Sequence, residues 1–466
     1  MRHWRQPLLS GTVLATLGFF PLLDALATTP AWLHWTAFDS IETAAAWTVT
    51  AMVVGLTMML AGHIGGRRGG DAVTILWLLV GIWFAMAALT RLQLLDPILR
   101  AHRANAVWVV GALAIMLTTV GAWAVLRPGQ YPTSRVQRTL AVLWPLSFLF
   151  AFHLLRAPSL AERQLADLSP TAHAVAGLVR TQVAHREPRT VVLLFDELSV
   201  DYLYGQRATD LSAWPSLALL RAEATLHHDA HLPGGGTLSA IPALFGATTA
   251  APDGLVNALN RQGQSLRIWG WYHDYCRAFA READECHATS IYNPRTLHSD
   301  FSIIDPWWTN IVLLPAEFPF KYLKSPAAVA LHRDTLAGAQ AWLATQLADP
   351  SADFIYAHVN VPHLPLIGEQ SGGLMFSRAF EMTEQSYLTQ FGAVDDVVAQ
   401  ALISTTRPTR LIVMSDHNAR ALLPKERHDQ VVLVVLEPGL HNSGVVKREN
   451  AAETLAHISL GLDETP

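Results

Sequence analysis

Five apolar runs in the first 156 residues constrain this chain more than any other feature of its sequence. A helix that crosses a bilayer needs about 20 mainly apolar residues. Segments at roughly 8–27, 42–62, 72–90, 105–126 and 138–155 approach that length. They are apolar all round, whereas a core helix of a soluble protein keeps a polar face. The expectation is therefore a transmembrane domain of five helices over residues 1–156. Arg2 and Arg5 precede the first run as in a signal peptide, but no small-residue cleavage site stands out and four more runs follow. The first helix is expected to be retained. Arginine placement sets the orientation. With the N-terminus inside, the inner segments carry Arg2, Arg5, Arg67, Arg68, Arg127, Arg135 and Arg138, against Arg91, Arg100 and Arg103 outside. An odd number of spans then delivers everything after residue 156 to the outer side.

The second part has a different character. Residues 157–188 read as a helical connector at or near the membrane surface, and from Arg189 short apolar runs alternate with amphipathic stretches. Buried strands are expected at Val191–Phe195, Asp353–Val359, Leu411–Met414 and Val431–Leu436, with helices at 238–247, 326–348 and 377–402. Such alternation predicts an α/β domain over 189–466, its largely parallel sheet sandwiched by helices. Charged residues are 15% of the chain and the net charge is -5, so there is no basic footprint for nucleic acid. Cys276 and Cys286 are the two cysteines. A zinc cluster would want more thiols, and a disulfide suits an oxidising compartment.

In open α/β sheets, ligands gather beyond the carboxyl ends of the strands. One strand here runs Val191-Val192-Leu193-Leu194-Phe195 into Asp196-Glu197, and another runs Leu411-Ile412-Val413-Met414 into Ser415-Asp416-His417. A carboxylate pair brought beside an Asp-His pair makes an oxygen and nitrogen site suited to Zn²⁺ or Mn²⁺. Alone, Asp-Glu after a strand is more often an ordinary loop start or helix cap. Between the two strands lies Gly234-Gly235-Gly236-Thr237-Leu238-Ser239. Glycines let the backbone approach a ligand, and a helix N-terminus favours a phosphate group. Thr237 there is either a plain N-cap or a nucleophile activated by a metal.

Taken in that order, the three segments resemble the alkaline phosphatase superfamily. With apolar helices in front, the chain looks like the bacterial phosphoethanolamine transferases and lipoteichoic-acid synthases. The resemblance covers the whole chain in architecture and three short segments in motif. It implies that Glu197 and Asp196 are acidic metal ligands and that Asp416 and His417 are the paired ligands near the C-terminus. Thr237 would form a covalent phospho-enzyme, with Ser239 a lesser alternative. In Tyr356-Ala357-His358-Val359-Asn360-Val361-Pro362-His363-Leu364-Pro365, His363 fits a substrate or second-metal histidine, His428 is a further candidate, and His358 is structural. The implied activity transfers a phospholipid headgroup to an envelope glycan or lipid, from the periplasmic side of a bacterial inner membrane.

The departures are specific. Residues 237–241 lack the Cys/Ser-x-Pro-x-Arg pattern of sulfatases, which argues against sulfate-ester hydrolysis. Two cysteines and Val-Pro-His-Leu-Pro replace the several disulfides and Ser-His-Gly-Pro of lipid A phosphoethanolamine transferases. A hydrolase of the same superfamily and a metal-free membrane scaffold are the rival readings. The aromatic run Trp269–Cys276 reads either as a stapled lip for a sugar or lipid headgroup, or as a packed loop; Trp307 and Trp308 are expected at the membrane interface.

Overall fold

The computed structural model describes residues 5–28, 34, 37–64, 73–74, 76–77, 144–168, 188–289, 326–367, 382–403, 407–439, 444–447 and 449–462. The chain divides into two compact units, Met1–Ala161 with Tyr292–Ser325, and Glu162–Ile291 with Pro326–Pro466.

In the first unit, helices α1 (Arg5–Thr28) and α2 (Ala37–Ile64) pack closely, and α3 (Pro145–Leu168) begins here. Small residues let the first two backbones approach: a Cβ at Gly11 would stand 2.5 Å from the Ala51 carbonyl oxygen. That is a packing device of helices in lipid. Phe150 of α3 packs on Phe19 and Trp47, while Thr16 and Ser147 hydroxyls bond across helices at 2.8 Å. Phe38, Ile41, Met52, Leu56, Leu60 and Ile64 point outward from α2, as do Phe148, Phe152 and Leu155 from α3.

The expected count of five spans is not met among the described residues. One stretch, Ala37–Ala61, is long and apolar enough to cross a membrane. In α1 the apolar stretch is shorter, Pro7–Thr16. Helix α3 carries Arg156, Glu162 and Arg163 and is not among the stretches long and apolar enough. The segment 105–126 and nearly all of 72–90 lie outside the described residues, as do 169–187 of the connector and Trp307 and Trp308.

The second unit is built on one eight-stranded sheet. Its strands are β1 (Arg189–Phe195), β2 (Thr225–His228), β3 (Leu266–Trp271), β4 (Glu285–Thr289), β5 (Phe354–Val359), β6 (Thr409–Ser415), β7 (Leu433–Leu436) and β8 (Val445–Lys447). Their order is β4-β3-β5-β1-β6-β7-β2-β8, parallel except where β7 runs antiparallel to β6 and β2. Strand β1 lies in the middle and is buried along its whole length, which is why it reads as an unbroken apolar run.

Successive side chains of β1 feed opposite cores. Val191, Leu193 and Phe195 meet α4 (Pro215–Glu223), the long helix at Pro326–Ala348 and the helix at Phe391–Ile403. Val192 and Leu194 meet the helices at Thr237–Phe245, Leu255–Arg261 and Ala451–Leu460. The result is a mixed, mostly parallel sheet between helical layers. Fully burying each such Val, Leu or Phe contributes about 1.5–3 kcal/mol. At the opposite end from the site, buried Arg189 is matched by Thr409 Oγ1 at 2.9 Å and the Leu347 carbonyl at 2.8 Å.

Candidate active site

Parallel pairing places the acidic residues. In register Phe195 faces Val359 on one side and Ser415 on the other, so Asp196 and Asp416 emerge one step later, next to each other. Both carboxylates are fully buried, as is His417. His417 Nε2 stands 3.5 Å from Asp196 Oδ1 and 3.3 Å from Asp416 Oδ2. Glu197 turns away with a φ of 68°, and its backbone N–H donates to Asp416 Oδ1 at 3.1 Å. The Tyr387 hydroxyl fixes this turn by donating to the Glu197 carbonyl at 2.8 Å.

Thr237 arrives from the Gly-rich loop. Gly234 and Gly235 take φ of 85° and 57°, and Cβ atoms there would stand 2.1 Å from Ser239 Oγ and 2.8 Å from His428 Cβ. Only glycine fits these two positions without strain. Gly236, in extended backbone, is the N-cap of the helix α5 (Thr237–Phe245). The Thr237 hydroxyl caps nothing; it donates to Asp416 Oδ2 at 2.6 Å and lies 3.3 Å from His417 Nε2. Ser239 Oγ turns back to donate to the Gly236 carbonyl at 2.9 Å.

The electrostatics follow from packing carboxylates without water. Burial first, then the neighbouring Asp416, pushes Asp196 up to about 6. For Asp416 burial also pulls upward, but His417, His358 and the Thr237 hydroxyl outweigh it and its pKa ends lowered. Burial raises Glu197 as well, and is overcome by His363, His417 and Arg420. Burial would lower His363, yet the charges of Asp196 and Glu197 leave it raised. Two buried carboxylates side by side call for a cation.

The donor set fits a divalent metal. Asp196, Asp416 and His417 offer ligand atoms that all lie within 4.8 Å of one another. Asp196 Oδ1 is buried with no hydrogen-bond partner among the described residues. The ring nitrogen Nδ1 of His417 bonds the Asn418 carbonyl at 2.9 Å. Since a carbonyl only accepts, Nδ1 is the donor there, and Nε2 is the ring nitrogen turned to the site.

The remaining expected residues are placed differently. Glu197 sits beside this trio but pairs through Oε1 with Arg420 Nε at 3.0 Å. The half-buried His363 bonds its own neighbour, the Leu364 carbonyl, through Nδ1 at 2.6 Å. His428 packs against Gly235 and is tied by Nε2 to the Leu423 carbonyl at 3.0 Å, which keeps that nitrogen from acting as a ligand. His358 lies inside β5, its Nδ1 2.9 Å from the Tyr275 hydroxyl. Cys276 and Cys286 form a disulfide with Cα atoms 5.4 Å apart.

The aromatic run is not an exposed lip. Trp269, Trp271, Tyr272 and Tyr275 are all buried, because the run is the end of strand β3 and the turn after it. Two of its residues back the site: Trp271 Nε1 donates to Asp196 Oδ2 at 3.1 Å, and His273 Nε2 contacts the Thr237 carbonyl at 3.1 Å. Sequence reading missed these, and Arg420 with them. A polar group inside an aromatic strand end was the one available signal.

No known protein-family profile matches the chain. Among curated proteins it is similar to the bacteriochlorophyll synthase 44.5 kDa chain of Rhodobacter capsulatus, 28% identical over 247 residues that cover 48% of this chain and 57% of that protein. The chain thus spans little more than half the length of that curated relative. Similar solved structures include a protein in the alkaline phosphatase superfamily from Vibrio parahaemolyticus, at 15% identity and TM-score 0.35 over 64% of this chain and 75% of that one. The C-terminal periplasmic domain of EcEptC from Escherichia coli gives 14% and 0.36 over 58% and 81%. The lipoteichoic acid synthase LtaP from Listeria monocytogenes gives 12% and 0.35 over 64% and 78%.

Proposed function

We propose that the chain is a metal-dependent phosphotransferase of the alkaline phosphatase superfamily, which moves a phospholipid-derived phospho-headgroup onto an envelope glycan or lipid by way of Thr237. The observation that carries this reading is the Thr237 hydroxyl, 2.6 Å from Asp416 and 3.3 Å from His417 within the buried Asp196, Asp416 and His417 trio. A Zn²⁺ or Mn²⁺ ion held by those three residues, with Glu197 as a further carboxylate, would supply Lewis-acid charge for the developing phosphoryl oxygens.

The chain's own groups do the rest. Asp416 Oδ2 accepts the hydrogen bond of Thr237 and takes its proton as Oγ1 forms a bond to phosphorus. The bond from phosphorus to the diacylglycerol oxygen breaks, and that oxygen leaves with a proton given by His363. An acceptor hydroxyl then attacks phosphorus, its proton passing to His363, and the bond to Thr237 Oγ1 breaks as Oγ1 recovers the proton held on Asp416. His363, whose pKa the charges of Asp196 and Glu197 raise against its burial, is suited to donating a proton or bonding a phosphoryl oxygen. The N-terminus of α5 adds its dipole on the same side.

A bilayer-resident donor gives the apolar helices a purpose. On this reading 1–156 is a membrane-anchoring domain, 157–188 a connector and 189–466 a periplasmic catalytic domain of a bacterial inner-membrane protein. The outward apolar faces of α2 and α3 and the disulfide support it. Replacing Thr237 by Ala is expected to abolish headgroup transfer, with metal content and thermal unfolding unchanged. Full transfer by that variant would remove the covalent route; product release to water with acceptor present would favour the hydrolase.

A further inference from the structure

Asp201 is a fully buried carboxylate close to the site that the transfer steps leave unused. It sits on the one-turn helix Val200–Leu203, four residues after Glu197 on the segment that leaves β1. Its Oδ1 pairs with Arg427 Nη1 at 2.6 Å, and its Oδ2 accepts from Asn418 Nδ2 at 3.1 Å. A Cβ at Gly205 would stand 2.8 Å from the Asp201 Cα, so the following turn packs directly on it. A buried ion pair is a weak source of stability, since apolar residues of like volume often do as well. What this one touches gives it another use.

Asn418 directly follows His417. Its carbonyl takes the His417 Nδ1 hydrogen bond at 2.9 Å, which leaves Nε2 turned toward Asp196, Asp416 and Thr237. The rest of Asn418 fixes the direction of that carbonyl. Its backbone N–H donates to the His428 carbonyl at 3.0 Å, its Oδ1 accepts from the Ala419 N–H at 3.1 Å, and its Nδ2 is held by Asp201. Arg427 precedes His428, so the contacts close a ring through Asp201, Asn418, His428 and Arg427. We propose that Asp201 is a positioning residue of the metal site: through Asn418 it fixes the carbonyl on which the His417 ring hangs, and so aims Nε2 between the carboxylates. The segment after β1 then contributes twice, with Asp196 as a ligand and Asp201 as the holder of the ligand that β6 supplies. The assignment rests on the metal-binding part of the proposed function and not on the transfer step.

The test is a chelator-competition titration of the full chain in detergent with Zn²⁺, for the parent, Asp201→Asn, Asn418→Ala and the double variant. Each single change is expected to weaken Zn²⁺ binding by about 10- to 100-fold, the usual effect of removing a group that orients a metal-bound histidine. The double variant should bind no worse than the weaker single, because both changes break one path. Asp201→Asn also removes a negative charge. If that charge acted on the ion directly, its effect would persist in full beside Asn418→Ala, so additive losses overturn the proposal. Parent affinity in either single variant, with only the melting temperature lowered, overturns it too; a merely structural carboxylate would give that result. Should Asp201→Asn fail to fold, Asn418→Ala decides, because it keeps the pair between Asp201 and Arg427. A parent chain that binds no Zn²⁺ would overturn the proposed metal site and this assignment together. Transfer is not read in this titration, so a failure of Thr237 as nucleophile shows separately, in the Thr237→Ala assay.

Discussion

At Asp196, burial and a neighbouring carboxylate act together to make a group that is costly to ionise alone and well placed to hold a cation. Its Oδ2 is steadied by the Trp271 indole N–H, leaving Oδ1 open. Trp271→Phe keeps most of the ring and removes that donor. It should lower metal affinity by about 10- to 100-fold in a chelator-competition titration; unchanged affinity would mean the indole merely fills space. Deeper in, His332 is fully buried against the Trp271 ring, and burial drives its pKa down to about 3 from 6.5. The unfolded chain binds this proton below 6.5 and the folded chain refuses it, so stability is full above 6.5 and declines as pH falls toward 3. His332→Leu should flatten that decline in urea melts at pH 6.5 and 4.5. An equal pH dependence in both proteins would assign the acid sensitivity elsewhere.

Among the elements, the loop into α5 governs whether Thr237 reaches the carboxylates. Gly235→Ala must hold a side chain at a φ of 57° and push on His428, at 2.8 Å. The left-handed conformation alone costs about 1–2 kcal/mol. A melting temperature lowered accordingly, with loss of transfer activity, is expected; a variant as stable and active as the parent would show that this turn does not position the nucleophile. The strands were legible where the physics is local. Central β1, β5 and β6 are buried on both faces and read as apolar runs, while β2, β4 and β8 at and near the edges are short, partly exposed and carry no such pattern. The same contrast divides the site. Asp196, Thr237, Asp416 and His417 stand where a strand ends or a helix begins, and these boundaries show in the sequence. The bonds of Trp271 and Arg420 cross 75 and 223 residues, and no local pattern marks them. For His428, spacing after His417 says nothing about which way a ring nitrogen turns, and its Nε2 is bonded to the Leu423 carbonyl.

Over the whole molecule, the two units place their apolar side chains differently. The first unit keeps large apolar side chains on its outside and closes its helices through small residues, whereas the second hides its apolar side chains in two layers around a sheet. The proposed lipid donor would use both. The number of spans rested on hydropathy alone, and among the described residues that criterion selects one stretch of α2. The central claim is narrower: Thr237 becomes phosphorylated by a lipid in a metal-dependent step. The direct measurement is peptide mass spectrometry of the full chain after incubation with native phospholipids, with and without a chelator. The account predicts a phospho-headgroup adduct on Thr237 that disappears when the metal is removed and when acceptor is supplied. A chain that turns over lipid while Thr237 stays unmodified under every condition, including rapid acid quench, would contradict it.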